Sequence, residues 1–175
     1  MSGGEHEQIV GLLDVIDTSR WQRLQRHLAT VLGVMVRTLS PARQLLVEPS
    51  WPPGLDPERA VRLFRIGEEL ERLLPTTTPL REITERTTPL GTTYAAVPIY
   101  ATPEQWLACL VIGPVLVGRR EPPETFRRRL KAEGLDPAPV GSLLLAIRPY
   151  TFTELRSVLT FLEDVGNTLA QLAYQ

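Results

Sequence analysis

The sequence predicts an α+β domain: a five-stranded, mostly antiparallel sheet that is flanked by helices and followed by a long C-terminal helix. Two helical patterns precede the first strand pattern, and strand and helical patterns then follow one another. Residues 107–117 form the longest apolar run, which is typical of a central strand covered on both faces. The chain ends in a helical pattern whose leucines recur every seventh residue.

Composition and charge exclude several classes of protein. The chain has 175 residues, of which 43% are hydrophobic and 22% charged, and this fits one globular domain spanning 1–175. The net charge of −1 argues against nucleic-acid binding through bulk electrostatics. A single cysteine, Cys109, excludes an internal disulfide framework. The apolar run is too short to span a bilayer and the polar N-terminus is unlike a signal peptide, so we expect a cytoplasmic protein without a membrane partner.

Residues 8–33 are predicted to form two N-terminal helices. Residues 8–17 place four aliphatic side chains on one helical face. The second helix begins near Ser19, which fits a capping box with Gln22, and ends at Gly33. Its predicted buried stripe consists of Trp21, Leu24, Leu28, Val31 and Leu32, opposite Arg20, Arg23 and His27.

Residues 34–150 are predicted to hold the sheet and the helices that cover it. Residues 34–39 have the pattern of a strand, and residues 45–48 are its predicted hairpin partner. After a proline-rich loop, Asp56-Pro57 supplies a cap residue and a proline at the first helical position. The predicted inner stripe of this helix is Ala60, Leu63, Phe64, Gly67, Leu70 and Leu74, and its outer face carries the pairs Glu58–Arg62, Arg65–Glu69 and Glu68–Arg72.

The other strands follow a linker at 75–79. The charged residues 80–86 favour an edge strand, because charge discourages edge-to-edge pairing. Further strands are predicted over 92–100 and 106–117.

Three helical segments complete the chain. A basic helix is predicted over 121–131 and a short apolar helix or turn over 143–147. The capping box of Thr151 and Glu154 begins the helix over 151–175.

Residues that often carry chemistry each have a structural alternative in this chain. Cys109 is either a buried nucleophile or redox sensor, or a small core residue. His27 is either a base or a metal ligand, or a solvated side chain. There is no glycine-rich phosphate loop and no nucleophile elbow, so we expect neither an enzyme nor a cofactor or metal site.

A cluster of six cationic residues follows the central strand. This cluster either binds phosphate or an acidic partner, or forms the solvated face of a helix. Its members are Arg119, Arg120, Arg127, Arg128, Arg129 and Lys131.

Short motifs are spread over most of the chain: Leu90-Gly91, Val97-Pro98-Ile99, Gly113-Pro114-Val115-Leu116, Pro122-Pro123-Glu124, Gly134-Leu135-Asp136 and Ile147-Arg148-Pro149. Together they resemble the PocR-type sensory domain, a PAS-like module of bacterial transcription regulators and signalling proteins. The chain lacks the cysteines that this family often carries before the glycine loop and in the covering helix. The resemblance, like the order of the elements, implies a PAS- or GAF-like fold.

The resemblance implies a small-molecule-binding sensory or regulatory domain of bacterial signalling or transcription control, without catalytic activity of its own. Its small organic ligand would lie between the sheet and the covering helices, in a mostly apolar pocket with a few polar groups. Trp51 would act as a lid. The candidate lining residues are Trp51, Phe64, Gly67, Thr93, Tyr94 and Val97.

The alternative is a ligand-free PAS/GAF-like dimerisation or protein-interaction module. The C-terminal helices of two copies would pair in a homodimer, and a separate output protein would receive the signal. Otherwise, this helix packs on the domain's own sheet. The candidate interface residues are Leu155, Leu159, Leu162, Val165 and Leu169.

Overall fold

The computed structural model describes residues 11–74, 79–119 and 121–175, and it confirms the predicted α+β fold. Four antiparallel strands lie in the order β1-β4-β3-β2, and the short β5 pairs in parallel with β4. The strands are β1 (Val36–Leu39), β2 (Thr84–Thr87), β3 (Thr93–Thr102), β4 (Gln105–Val117) and β5 (Pro149–Tyr150). The predicted start of the first helix at 8–10 and the linker at 75–78 lie outside the described residues.

The helices form three groups around the sheet. They are α1 (Leu12–Val15), α2 (Thr18–Leu32), α3 (Pro57–Leu63), α4 (Glu69–Leu73), α5 (Pro123–Ala132), α6 (Pro137–Ala146) and α7 (Phe152–Tyr174). Helices α1, α2 and α7 pack on one face of the sheet, and α4 packs on the other. Helices α3, α5 and α6 share a separate apolar cluster beside the end of β4. Among the described residues, no helix is both long and apolar enough to cross a membrane.

The strand β4 is central, as predicted. It pairs with β1 on one side and with β3 on the other. Because side chains alternate along a strand, Leu110 joins the cluster under α7 while Cys109 and Val111 join the cluster under α4. The strand β2 forms the sheet edge predicted from its charges.

The helix α2 differs from its prediction at its cap and on its buried face. Asp17 is the N-cap, and its Oδ1 accepts hydrogen bonds from the Arg20 amide and the Ser19 hydroxyl, so the predicted capping box at Ser19 is wrong. Val31 is 72% exposed, whereas the polar Gln25 is 1% exposed. The end of the helix at Gly33, which has a φ of 66°, is as predicted.

The buried Gln25 explains why residues 45–48 do not form the predicted hairpin strand. The Nε2 of Gln25 donates to the Glu48 carbonyl oxygen at 2.7 Å, and the Glu48 amide donates to Oε1 of Gln22 at 3.1 Å. Gln22 and Gln25 of α2 thus form hydrogen bonds with the backbone groups of Glu48 that a strand at this place would pair with β1. Only isolated bridges, Leu39 with Leu45 and Val36 with Ser50, join this segment to β1.

The helix predicted from Asp56 is broken into α3 and α4. Asp56 caps α3 as predicted, through its Oδ1 and the Glu58 amide at 3.1 Å. The chain then turns over residues 64–68, where Arg65 and Gly67 adopt positive φ angles of 51° and 112°. This turn rotates Glu69 from the predicted outer face to a buried position.

The helix α6 is longer than predicted, and the fifth strand lies elsewhere in the chain. The helix α6 begins at Pro137, capped by Asp136, and not near residue 143. The fifth strand is β5 and not the segment at 45–48. The capping box that begins α7 is present as predicted, with both Thr151–Glu154 hydrogen bonds at 3.1 Å.

Candidate functional site

The six residues predicted to bind a ligand do not line one cavity. Tyr94 lies on the sheet face under α4, whereas Val97 lies on the opposite face under α7. Because β3 separates the two side chains, one ligand cannot touch both. Gly67 is exposed in the turn before α4, and Thr93 pairs its hydroxyl with that of Thr87 at 3.1 Å.

The other two aromatic candidates, Trp51 and Phe64, also have packing roles. Trp51 is partly buried between the cluster under α4 and the cluster of α3, α5 and α6. Phe64 is buried in the latter cluster and reaches a cavity of about 460 Å³ that is lined mostly by charged side chains of both signs. The predicted lining residues therefore belong to different packing clusters and do not enclose one pocket between the sheet and its covering helices.

A buried ion pair lies under α4, where the sequence predicted part of the pocket. The Nη2 of Arg37 is 2.5 Å from Oε1 of Glu69, and both side chains are 5% exposed. The Gly67 amide donates to Oε2 of the same carboxylate at 2.7 Å. The Arg37 guanidinium lies 5.9 Å from the centre of the Tyr94 ring. This cluster ties β1 to the helix pair above it, and Glu69 also reaches the lining of the cavity of about 460 Å³.

Two nucleophilic groups beside this pair are held protonated. Burial raises the pKa of the Cys109 thiol to about 12, against the opposing charge of Arg37. Burial also raises the pKa of the Tyr94 hydroxyl far above its usual range, and the Glu69 charge raises it further. Because the thiolate is the reactive form of cysteine, Cys109 behaves as a core residue here.

The candidate functional site is a cleft of about 870 Å³ between α5 and α6. The end of β4 and the turn between β2 and β3 complete its walls, so residues 90–91 meet the consecutive stretch 116–145 here. The apolar part of its lining consists of Leu90, Leu116, Val117, Phe126, Leu144 and Leu145. We call this cavity the α5–α6 cleft.

The charged part of the lining of the α5–α6 cleft comes from the cationic cluster noted in the sequence. Arg119, Arg127, Arg129 and Lys131 line the cleft, together with the acidic Glu121 and Asp136. Arg128 is exposed and is not part of the lining. The cluster is therefore more than a solvated helix face, because the fold gathers four of its cations around one apolar cavity.

Arg129 is the cation whose position is best defined. Its guanidinium forms an ion pair with Glu121 and lies directly against the backbone of Gly91. A Cβ atom at position 91 would overlap this guanidinium, and Gly91 has a φ of 83°, which favours glycine. The turn between β2 and β3 thus gives Arg129 room to reach the cleft wall.

Sequence reasoning identified the cations of the cleft but not its apolar lining. Leu90 and Gly91 were noted for their resemblance to a family motif, and Phe126 falls on the apolar side of a helix that looks mainly basic. Asp136-Pro137 carries the same start signal as Asp56-Pro57, and this would have extended α6 along the cleft.

The predicted dimer interface is divided between the core and the surface. Leu155, Leu159 and Leu162 are at most 2% exposed and pack on the domain's own sheet, so they are unavailable to a second copy, contrary to the prediction. Leu169 is 36% exposed and Val165 is partly buried. The same side of α7 exposes Phe161 and Leu172, which leaves an apolar stripe on the surface.

Comparisons with known proteins add no relative to this description. No family model, no curated protein and no solved structure matches the chain. Within residues 11–74, 79–119 and 121–175, no group of three or more His, Cys, Asp or Glu side chains is placed to hold a metal ion.

Proposed function

We propose that this chain is a small-molecule-binding regulatory domain and that the α5–α6 cleft is its ligand site. The observation that carries the proposal is the cleft itself, an apolar cavity with convergent cations. Its volume of about 870 Å³ lies within the ~300–1,000 Å³ of typical ligand sites. The resemblance of the sequence to PocR-type sensory domains supports the same class of function.

The chemistry of the cleft supports binding in preference to catalysis. Ser142 lines the cleft, but its hydroxyl donates to the Pro139 carbonyl oxygen at 3.1 Å, a local helix contact that does not activate a nucleophile. Asp136 accepts a hydrogen bond from the Ala138 amide and so serves as the cap of α6. The proposed role is therefore to bind a ligand and to report its presence through α5 and α6.

Gly141 offers a direct test, because it lines the cleft in the middle of α6. A Cβ atom at this position would meet nothing within 4 Å, so the side chain of Gly141→Leu has room to leave the helix and takes up space in the cleft. Leucine also favours a helix over glycine by about 1 kcal/mol, so this variant is expected to fold. Ala146→Leu is the matched control, because Ala146 is exposed at the end of the same helix and does not line the cleft.

The measurement is a thermal-shift screen of short-chain acids, alcohols, aromatics and nucleotides. A ligand at a hundred times its dissociation constant stabilises the native state by about 2.7 kcal/mol. We expect a saturable shift for the wild-type protein and for Ala146→Leu that is lost in Gly141→Leu. No shift with any class, or a shift that persists in Gly141→Leu, would overturn the proposal.

A protein-interaction module is the second candidate, and the exposed stripe on α7 favours it. Phe161 and Leu172 are 59% and 64% exposed, and they lie on one side of the helix with Leu169. If this stripe pairs two copies, Phe161→Glu gives a folded monomer by light scattering, whereas Thr160→Glu, on another exposed side of α7, stays dimeric. A wild-type monomer, or a Phe161→Glu dimer, would exclude pairing through the stripe.

A further inference from the structure

We infer that the α5–α6 cleft binds a single-chain amphipathic carboxylate, whose head group takes the place of Glu121 on Arg129 while its tail covers the apolar lining. The inference rests on the proposed function, because it names the ligand class of the same cleft. It is carried by three observations: the unbalanced charge of the cleft, the placement of Arg129, and the apolar lining beside it.

The charge of the cleft is positive, although the whole chain carries a net charge of −1. Of its two acidic side chains, Asp136 is engaged in capping α6 and Glu121 is paired with Arg129. Among the described residues, Arg119, Arg127 and Lys131 form no ion pair. The cleft therefore attracts anions and repels cations.

The ion pair of Arg129 shows which head group the cleft accepts. The carboxylate of Glu121 already sits on this guanidinium, so the geometry suits a carboxylate, and the planar guanidinium favours such groups. The side chains of the pair are 33% and 36% exposed, and exposed pairs are weak. A ligand carboxylate can therefore exchange with Glu121 without disturbing the fold.

The apolar lining decides between a small anion and an amphiphile. Leu116, Phe126 and Leu145 line the same cavity as Arg129 and are half-buried or exposed, so a small inorganic anion would leave them in contact with water. A plain hydrocarbon would cover them but would leave the cations unused. An amphipathic anion uses both parts of the lining, and the burial of its tail supplies affinity that an exposed ion pair does not.

Isothermal titration calorimetry with four probes that carry a ten-carbon chain tests the ligand class. The probes are decanoate, decanol, decyltrimethylammonium and decyl phosphate, each kept below its micelle concentration or solubility limit. We expect decanoate to bind up to about fivefold more tightly than decanol, because its carboxylate pairs with a partly exposed Arg129, and we expect the ammonium not to bind. Equal binding of decanoate and decanol, or tighter binding of decyl phosphate than of decanoate, would overturn the inference.

Three single substitutions test the head-group position. Arg129→Gln should weaken decanoate by up to about fivefold and leave decanol unchanged, and the decanol result also shows that the cleft is intact. Arg128→Gln removes the same charge from the same helix outside the cleft and should change neither probe. Glu121→Gln removes the competing carboxylate and should tighten decanoate. Unchanged decanoate affinity in either Arg129→Gln or Glu121→Gln would overturn the inference.

The failures of the two proposals are distinguishable. Decanol that binds to the wild-type protein but not to Gly141→Leu, with no preference for decanoate, supports the cleft as a ligand site and overturns only the ligand class. If decanoate and decanol each bind to Gly141→Leu as tightly as to the wild-type protein, both proposals are overturned, because neither probe would then occupy the cleft.

Discussion

Removing Glu69 is the most informative perturbation of the fold, because this residue holds α4 on the sheet. The variant Glu69→Leu leaves the Arg37 guanidinium 5% exposed and without its carboxylate at 2.5 Å. It also leaves the Gly67 amide without the acceptor that it has at 2.7 Å. The Nε of Arg37 forms no hydrogen bond within the described part of the chain, so little else compensates for the buried charge.

The magnitude follows from the cost of an unpaired buried charge. Removing one partner of a buried pair costs about 3–5 kcal/mol. That is a large share of the ~5–15 kcal/mol by which domains are stable. For a chain of this size, it corresponds to a fall in the melting temperature of about 6–20 °C. Replacing both partners, as in Arg37→Met/Glu69→Leu, removes the unpaired charge and should recover most of this loss.

Urea unfolding followed by circular dichroism measures the effect. Glu133→Gln is the matched control, because Glu133 pairs with Arg65 at 3.7 Å with side chains 32% and 41% exposed. We expect a loss of no more than about 1 kcal/mol for the control. A loss below 1 kcal/mol in Glu69→Leu, or a double variant that is no more stable than the single one, would refute the reasoning.

Three further predictions concern other parts of the chain. Gln25→Ala should cost about 1–3 kcal/mol in urea unfolding, because it removes the hydrogen bonds of this buried amide with the Glu48 carbonyl oxygen and with the hydroxyls of Ser50 and Thr38; an unchanged midpoint would contradict the network. Burial raises the pKa of the Cys109 thiol to about 12, so only about one thiol in ten thousand should be a thiolate at pH 8. A disulfide reagent should therefore label Cys109 only in urea, and fast labelling of the native protein would refute this burial. Gly91→Ala should lower the melting temperature, because alanine is strained at the φ of 83° that Gly91 adopts, and it should weaken decanoate binding, because the added Cβ displaces the Arg129 guanidinium. Wild-type values for both would contradict the contact.

Local signals in the sequence predict the ends of elements well. Thr151 with Glu154 and Asp56 with Pro57 mark where α7 and α3 begin, because caps satisfy backbone groups within a few residues. The apolar run from residue 107 predicts the central β4, because a strand buried on both faces needs apolar side chains on both. These features depend on neighbours in the sequence, so the sequence alone reveals them.

Contacts between distant residues were not predictable in the same way. Periodicity favoured Val31 over Gln25 on the buried face of α2, because it takes no account of hydrogen bonds to the segment near Glu48. The pairing of Glu69 with Arg37 spans 32 positions and requires the turn at Gly67. Such polar contacts are specified by the tertiary fold and leave no periodic signal.

The candidate site illustrates the same limit. The cationic cluster was visible in the sequence, and its alternatives were a binding surface or a solvated helix face. The fold distinguishes Arg129, which lines the cleft beside Gly91, from Arg128, which points elsewhere, although the two are adjacent in sequence. Only the approach of α6 and of the turn between β2 and β3 creates the cavity.

Calorimetric titration of the wild-type protein and of Gly141→Leu with decanoate tests the central claim most directly. The claim is that the α5–α6 cleft is a ligand site for an amphipathic carboxylate. It predicts saturable binding of one decanoate to the wild-type chain, and loss of that binding in a Gly141→Leu protein whose unfolding is unimpaired. Equal binding to both proteins, or no binding of decanoate to the wild-type chain, would contradict it.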